Sequence, residues 1–181
     1  MGRGGAMLLA AALALPQSAA ACLQLSADVW MCARGSAWEA AKWDPYGDGE
    51  TLLLGDFVLN FDQNWPTAEL RDAASTLEEQ YVTYAAWVKD EGIDPKVLRV
   101  DRVTLPNTIA LRYLQRDEWQ GQPVLQANML AEVGAHRIML YLDAPGDMKI
   151  EMLDATSEEI LSLLRDTCAD DKSCAKISED G

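Results

Sequence analysis

The stretch VLRVDRVTLPNTIALRYLQRDEWQGQPVLQANMLAEVGAHRIMLYL, residues 97–142, decides the fold. It holds four runs rich in β-branched and large apolar residues, 97–105, 108–116, 124–133 and 135–142, with Trp119-Gln120-Gly121-Gln122 and Gly134 as turn material between them. Connections this short join antiparallel neighbours, because a parallel crossover needs a dozen residues or more. The stretch therefore predicts an antiparallel meander. Alternation such as Ile109, Leu111 and Tyr113 predicts that one face of it is buried.

Upstream, a strand starts at Leu52, and Phe57, Leu59 and Phe61 alternate with Val58 and Asn60 until Asn64-Trp65-Pro66 stops the run. A helix follows. Thr76 and Glu79 stand at capping-box spacing, and Leu77, Tyr81, Tyr84, Ala85 and Val88 recur at helical spacing as far as Gly92. Downstream, 143–147 closes the sheet, and a second pair, Thr156 with Glu159, predicts the start of a last helix. That helix carries Ile160, Leu163, Leu164 and Thr167 along one side and ends near Cys168. The fold class expected is α+β: an antiparallel meander sheet packed by two main helices. Its expected core includes Phe57, Leu59, Tyr81, Leu111, Leu140 and Leu164.

The first 21 residues have the layout of a secretory signal. Arg3 is their only charge, Ala6 to Leu15 is apolar, and Pro16 precedes the small residues Ser18 to Ala21. The apolar run is too short for a stable membrane anchor, which needs roughly 20 residues. Cleavage is expected after Ala20 or Ala21, with export to the periplasm or beyond. The second choice leaves Cys22 first, and Ala19-Ala20-Ala21-Cys22 has small residues fit for a lipobox but no leucine three before the cysteine. A lipid anchor at Cys22 is the minor reading. Beyond the signal the chain divides into a tryptophan-rich arm, 22–49, one domain, 50–168, and a mobile acidic tail, 169–181.

Removing the signal takes away one base and no acid, so 14 Lys and Arg face 29 Asp and Glu. Such a field repels phosphate backbones and argues against nucleic acid as a partner. Four cysteines in an exported chain imply disulfides, and their clustering favours Cys22 with Cys32 and Cys168 with Cys174. Bridges between the two ends of the chain are the alternative. Trp30, Trp38 and Trp43 crowd the arm, which is otherwise irregular to the eye. Indoles so placed either pack the arm onto the domain or form an aromatic binding surface. The run 44–49 looks briefly like a calcium loop, but Tyr46 replaces a ligand and Gly55 stands where a bidentate Glu belongs.

The order of elements, with Gly55-Asp56-Phe57-Val58-Leu59-Asn60-Phe61, Trp65-Pro66, the helix from Leu77 to Glu91 and the run from Ser157 to Leu164, resembles PsbP-like proteins, including the bacterial DcrB-like exported proteins. The resemblance covers roughly residues 50–167. It implies a sheet with packed helices and an accessory or binding role.

His136 is the only histidine and lies in a strand run, so no multi-histidine metal site can form. No serine sits in a GxSxG elbow, no phosphate loop or dinucleotide fingerprint occurs, and each cysteine has a disulfide partner in reach. The sequence thus nominates no catalytic, cofactor or metal residue. The expected function is an exported, non-enzymatic binding or accessory protein for a protein, peptide or small ligand. A small exported hydrolase that uses carboxylates is the alternative.

Overall fold

The computed structural model describes residues 22–44, 50–62, 75–92 and 95–168, and the backbone of 174–175. The signal segment, the 45–49 turn, Asn64-Trp65-Pro66 and nearly all of the tail lie outside the described residues. The fold is α+β. In chain order the strands are β1 (Cys22–Ser26), β2 (Val29–Met31), β3 (Lys42–Trp43), β4 (Thr51–Leu54), β5 (Phe57–Asp62), β6 (Lys96–Leu105), β7 (Thr108–Trp119), β8 (Gln122–Val133), β9 (His136–Pro145), β10 (Leu164–Arg165) and β11 (Cys174–Ala175). The helices are α1 (Leu77–Asp90) and α2 (Ile150–Leu163).

The meander forms as expected. Strands β6 to β9 pair antiparallel in sequence order, and β9 continues through β5 and β4 to β3 in a seven-stranded sheet. Its longest hairpin turns at Gln120-Gly121, where both residues have positive φ, 50° and 78°. That is the backbone a two-residue hairpin requires, and glycine makes half of it sterically free.

Both faces of the sheet are covered, where alternation predicted one. Leu111, Leu130 and Met139 pack on one face with Leu77, Tyr81 and Tyr84 of α1. On the other, Ala110, Leu114, Met129 and Leu140 meet Leu153, Ile160 and Leu161 of α2. The reason is visible in β7 and β8, where apolar residues occupy both parities, as strands buried on two sides do. Of the expected core, Leu59, Tyr81, Leu111, Leu140 and Leu164 are buried, and Phe57 is partly buried against it.

Helix α1 starts as its capping box directs. The Glu79 amide donates to Thr76 Oγ1 at 3.2 Å, and the Thr76 amide donates to Glu79 Oε2 at 2.8 Å. Ala85 is exposed, however, because it lies about 80° round the helix from Leu77, outside the stripe made by Leu77, Tyr81 and Tyr84. The last helix departs further from expectation. It begins at Ile150, with Lys149 as a cap that makes no side-chain bond, so Thr156 and Glu159 lie inside it. Glu159 Oε1 instead accepts from the Ala37 amide at 3.3 Å. Burial of Leu153 one turn in, followed by Ser157, Ile160 and Leu161, outweighs the capping pair and draws the helix start upstream. It also ends sooner, at Leu163, because Leu164 turns into β10 and pairs with Met31.

The arm expected to be irregular is structured. Strands β1 and β2 form a hairpin that β10 and β11 extend into a second, four-stranded sheet, and β3 edges the large one. Leu25, Val29, Met31 and Trp38 join the same core cluster as α2. Strands of two, three and five residues are too short for their alternation to stand out in sequence. The disulfide Cys22–Cys32 ties this hairpin to the turn that follows it.

Candidate functional site

On the α1 face, beside the helix, a polar row crosses five adjacent strands. Thr51 Oγ1 donates to Asn60 Oδ1 at 2.7 Å, and Asn60 Nδ2 lies 3.4 Å from Asp143 Oδ2 as its donor. From the other side, Gln115 Nε2 donates to Gln126 Oε1 at 2.7 Å, and Gln126 Nε2 donates to Asp143 Oδ1 at 2.6 Å. Strand register builds the row, since Thr51 faces Asn60, Gln115 faces Gln126, and Gln126 faces Asp143. Every donor points along the row toward one acceptor, the Asp143 carboxylate.

Burial pushes the Asp143 carboxyl above its ordinary range, the Gln126 hydrogen bond opposes that, and the charge of Asp117 adds to the rise. A carboxyl whose folded pKa is raised stabilises the fold while it stays protonated. That contribution is full below the unfolded value, about 3.9, and is lost as pH rises through the folded one. Asp143→Asn cannot ionise. Relative to wild type it is expected to gain stability progressively from about pH 4 upward, read from thermal melts at several pH values. A gap that does not change with pH would contradict the raised pKa.

Aromatic residues wall the row on the α1 side. Tyr81 stacks on Tyr113 with centroids 3.5 Å apart, and Tyr84 lies 6.0 Å from Tyr141 and 6.1 Å from the exposed Trp87. Burial holds the phenols of Tyr81, Tyr84 and Tyr141 above the usual tyrosine range, so they stay neutral donors. At Asp143, the middle member of the row, a groove of about 510 Å³ opens, lined by Asp56, Asp143 and Asp147 together with Val58, Val124 and Pro145. Gly146 closes one wall. Its amide donates to the Pro123 carbonyl at 3.0 Å, and a side chain there would collide with Pro123.

The tryptophans nominated by the sequence do not meet at this site. Trp38 is 1% exposed and belongs to the core, which corrects its nomination as a surface residue. Trp30 is half-buried on β2, while Trp43 is exposed and packs edge-on against Phe61, on the sheet face opposite the polar row. His136 pairs with Asp28 at 3.5 Å, both side chains being exposed. Cys22 and Cys32 are bonded to each other. Cys168 is disulfide-bonded too, and its expected partner Cys174 has a side chain outside the described set. Among the described residues no group of three or more His, Cys, Asp or Glu is placed to hold a metal. Sequence reading missed the polar row because its residues come from five separate strands. The one local sign was Gln126 and Asn128, two amides on one face in the otherwise apolar middle of β8, 124–131.

No known protein family matches the chain, and no curated protein is similar to it. Among solved structures, that of the Ran-binding protein Mog1p from Saccharomyces cerevisiae is similar over 74% of this chain and 67% of its own, with a TM-score of 0.31 and 11% identity. A likeness this distant bears on no partner or activity.

Proposed function

We propose that the chain is an exported, non-enzymatic binding or accessory protein that takes a cationic segment of a partner protein in the groove beside Asp143. The carrying observation is the polar row, which directs its donors to one carboxylate and leaves Asp56, Asp143 and Asp147 facing an open groove. A lining of apolar and acidic side chains suits the aliphatic stem and charged head of Lys or Arg. The formal net charge of −14 draws such a partner in.

Export rests on the signal layout of residues 1–21 and on the disulfides, which persist in oxidising compartments. Lipidation of Cys22 is not part of the proposal, because a sulfur bonded to Cys32 has no valence left for a thioether. Among the described residues no helix is long and apolar enough to cross a membrane. An accessory role agrees with the PsbP-like and DcrB-like resemblance, and membership of that family is part of the proposal.

Titration calorimetry with hexalysine is the test. Binding that weakens at least about tenfold in the double variant Asp143→Asn with Asp147→Asn, and falls with added salt, supports the reading. Equal binding by the variant, or none by wild type, overturns it. The raised pKa of Asp143 near Asp117 is the one observation that favours a carboxylate hydrolase. Turnover of a chromogenic glycoside that Asp143→Asn abolishes would put that reading first. Export is checked by the intact mass of the periplasmic form, where a retained Met1 would refute cleavage.

A further inference from the structure

The two ends of the large sheet are unlike. At one end β3 is two residues long, which leaves little edge to pair. At the other, β6 is ten residues long and, among the described residues, pairs only with β7. Three large apolar residues are exposed on it, Val97, Leu98 and Val100, at 48%, 37% and 47%. A long apolar edge is a template for a further strand, and soluble proteins usually cover or charge it.

Of the basic residues on β6, Lys96 is exposed at the first position, before the ladder irregularity, and the two arginines are not free charges on the edge. Arg99 is paired with Asp101 and Asp154, and Arg102 with Glu78 of α1. The irregularity in the β6–β7 ladder lies between Val97 and Arg99, which leaves Arg99 to Leu105 in unbroken register.

Within that part, the segment Arg99 to Asp101 is complementary to itself. If two copies of β6 run antiparallel about a two-fold axis through Val100, Val100 faces its own copy. Arg99 then faces Asp101 of the second chain, and Asp101 faces the second Arg99. Cross-strand pairs of opposite charge and of β-branched residues each stabilise a sheet, and like charges directly opposite oppose it. We infer that β6 is the interface of a symmetric homodimer, in which two seven-stranded sheets join into one continuous sheet. A closed two-fold is the commonest symmetry for a self-complementary patch. The shared negative charge of the two bodies is screened beyond about 8 Å at physiological salt.

The test is sedimentation equilibrium of the exported chain from about 1 to about 200 µM, a range that covers weak and moderate dimers. Wild type is expected to dimerise. Val100→Lys places two ammonium groups together at the axis and is expected to weaken association at least about tenfold. Val100→Glu does the same with two carboxylates. An equal mixture of the two variants is expected to restore a one-to-one dimer, which a folding defect would not produce. A wild type that stays monomeric throughout, a Val100→Lys variant that dimerises as well as wild type, or a mixture that fails to associate each overturns the inference. None of these outcomes touches the Asp143 groove, which is read separately by hexalysine binding.

Discussion

Trp38→Ala is expected to lower the free energy of unfolding by about 3–5 kcal/mol, the range for truncating a buried aromatic residue. Trp38 is among the largest fully buried side chains and packs in the cluster that joins the N-terminal hairpin, the large sheet and α2. Removing it opens a cavity where three elements meet. Its short helical turn, Ala37–Ala40, is held by Ser36, whose Oγ accepts from the Trp38 amide at 3.2 Å, so the surrounding backbone cannot readily collapse into the space. The indole Nε1 is buried with no acceptor among the described residues, and an unpaired donor of that kind itself costs about 1–3 kcal/mol. Trp38→Phe keeps most of the ring and removes that donor. It is therefore expected to lose far less than Trp38→Ala in urea unfolding followed by circular dichroism. A loss within about 0.5 kcal/mol for the alanine variant would place the indole on the surface.

The second large effect is expected at Arg112, whose guanidinium is 3% exposed on the α2 face of β7. Its Nε and Nη2 donate to the two oxygens of Asp101 at 3.0 and 2.7 Å, and Nη1 donates to Ser157 Oγ at 2.7 Å and to the Asp154 carbonyl at 3.1 Å. The Asp154 carboxylate lies 2.7 Å from Nη2. Sheet and helix thus meet through one buried cation, held by four hydrogen bonds and by an ion pair to the Asp154 carboxylate. Arg112→Met keeps much of the volume but removes one of the two cations shared by Asp101 and Asp154, which keep Arg99 and are partly exposed, so the loss is expected at about 3 kcal/mol, the low end for breaking a buried pair from one side.

The same network sets a pH signature. The hydrogen bonds from Arg112 hold the Asp101 carboxyl below its ordinary range. A depressed carboxyl stabilises the fold above its unfolded pKa and loses that contribution as pH falls through the folded value. The gap between wild type and Arg112→Met is therefore expected to narrow below about pH 4. In a double-mutant cycle with Asp101→Asn, a coupling energy near zero would show that the pair does not act as a unit.

These two residues show how far the sequence reaches. Trp38 was noticed as one of three crowded indoles, yet nothing local distinguishes a core ring from an exposed one. Burial depends on which segments close over it. Arg112 sits in a strand with the alternation of a sheet, and a lone arginine there reads as solvent-facing until a helix from forty residues on places Asp154 against it. Asn60, Gln115, Gln126 and Asp143 are unremarkable singly. Only the register of five strands makes them a row.

Local patterns did determine much by themselves. Alternation in 97–142 specified four paired strands, because the period of a strand is a property of its backbone. Thr76 and Glu79 specified the start of α1, because a capping box is satisfied within four residues. Cys22 and Cys32 are ten residues apart and found each other. Thr156 and Glu159 carry the same capping pattern and do not start α2, since burying Leu153 contributes more than a cap does. The second covered face of the sheet, the structured N-terminal hairpin, the direction of the polar row and the open edge of β6 were decided by tertiary structure alone. Each depends on contacts between residues far apart in the chain, and such contacts leave no period in the sequence.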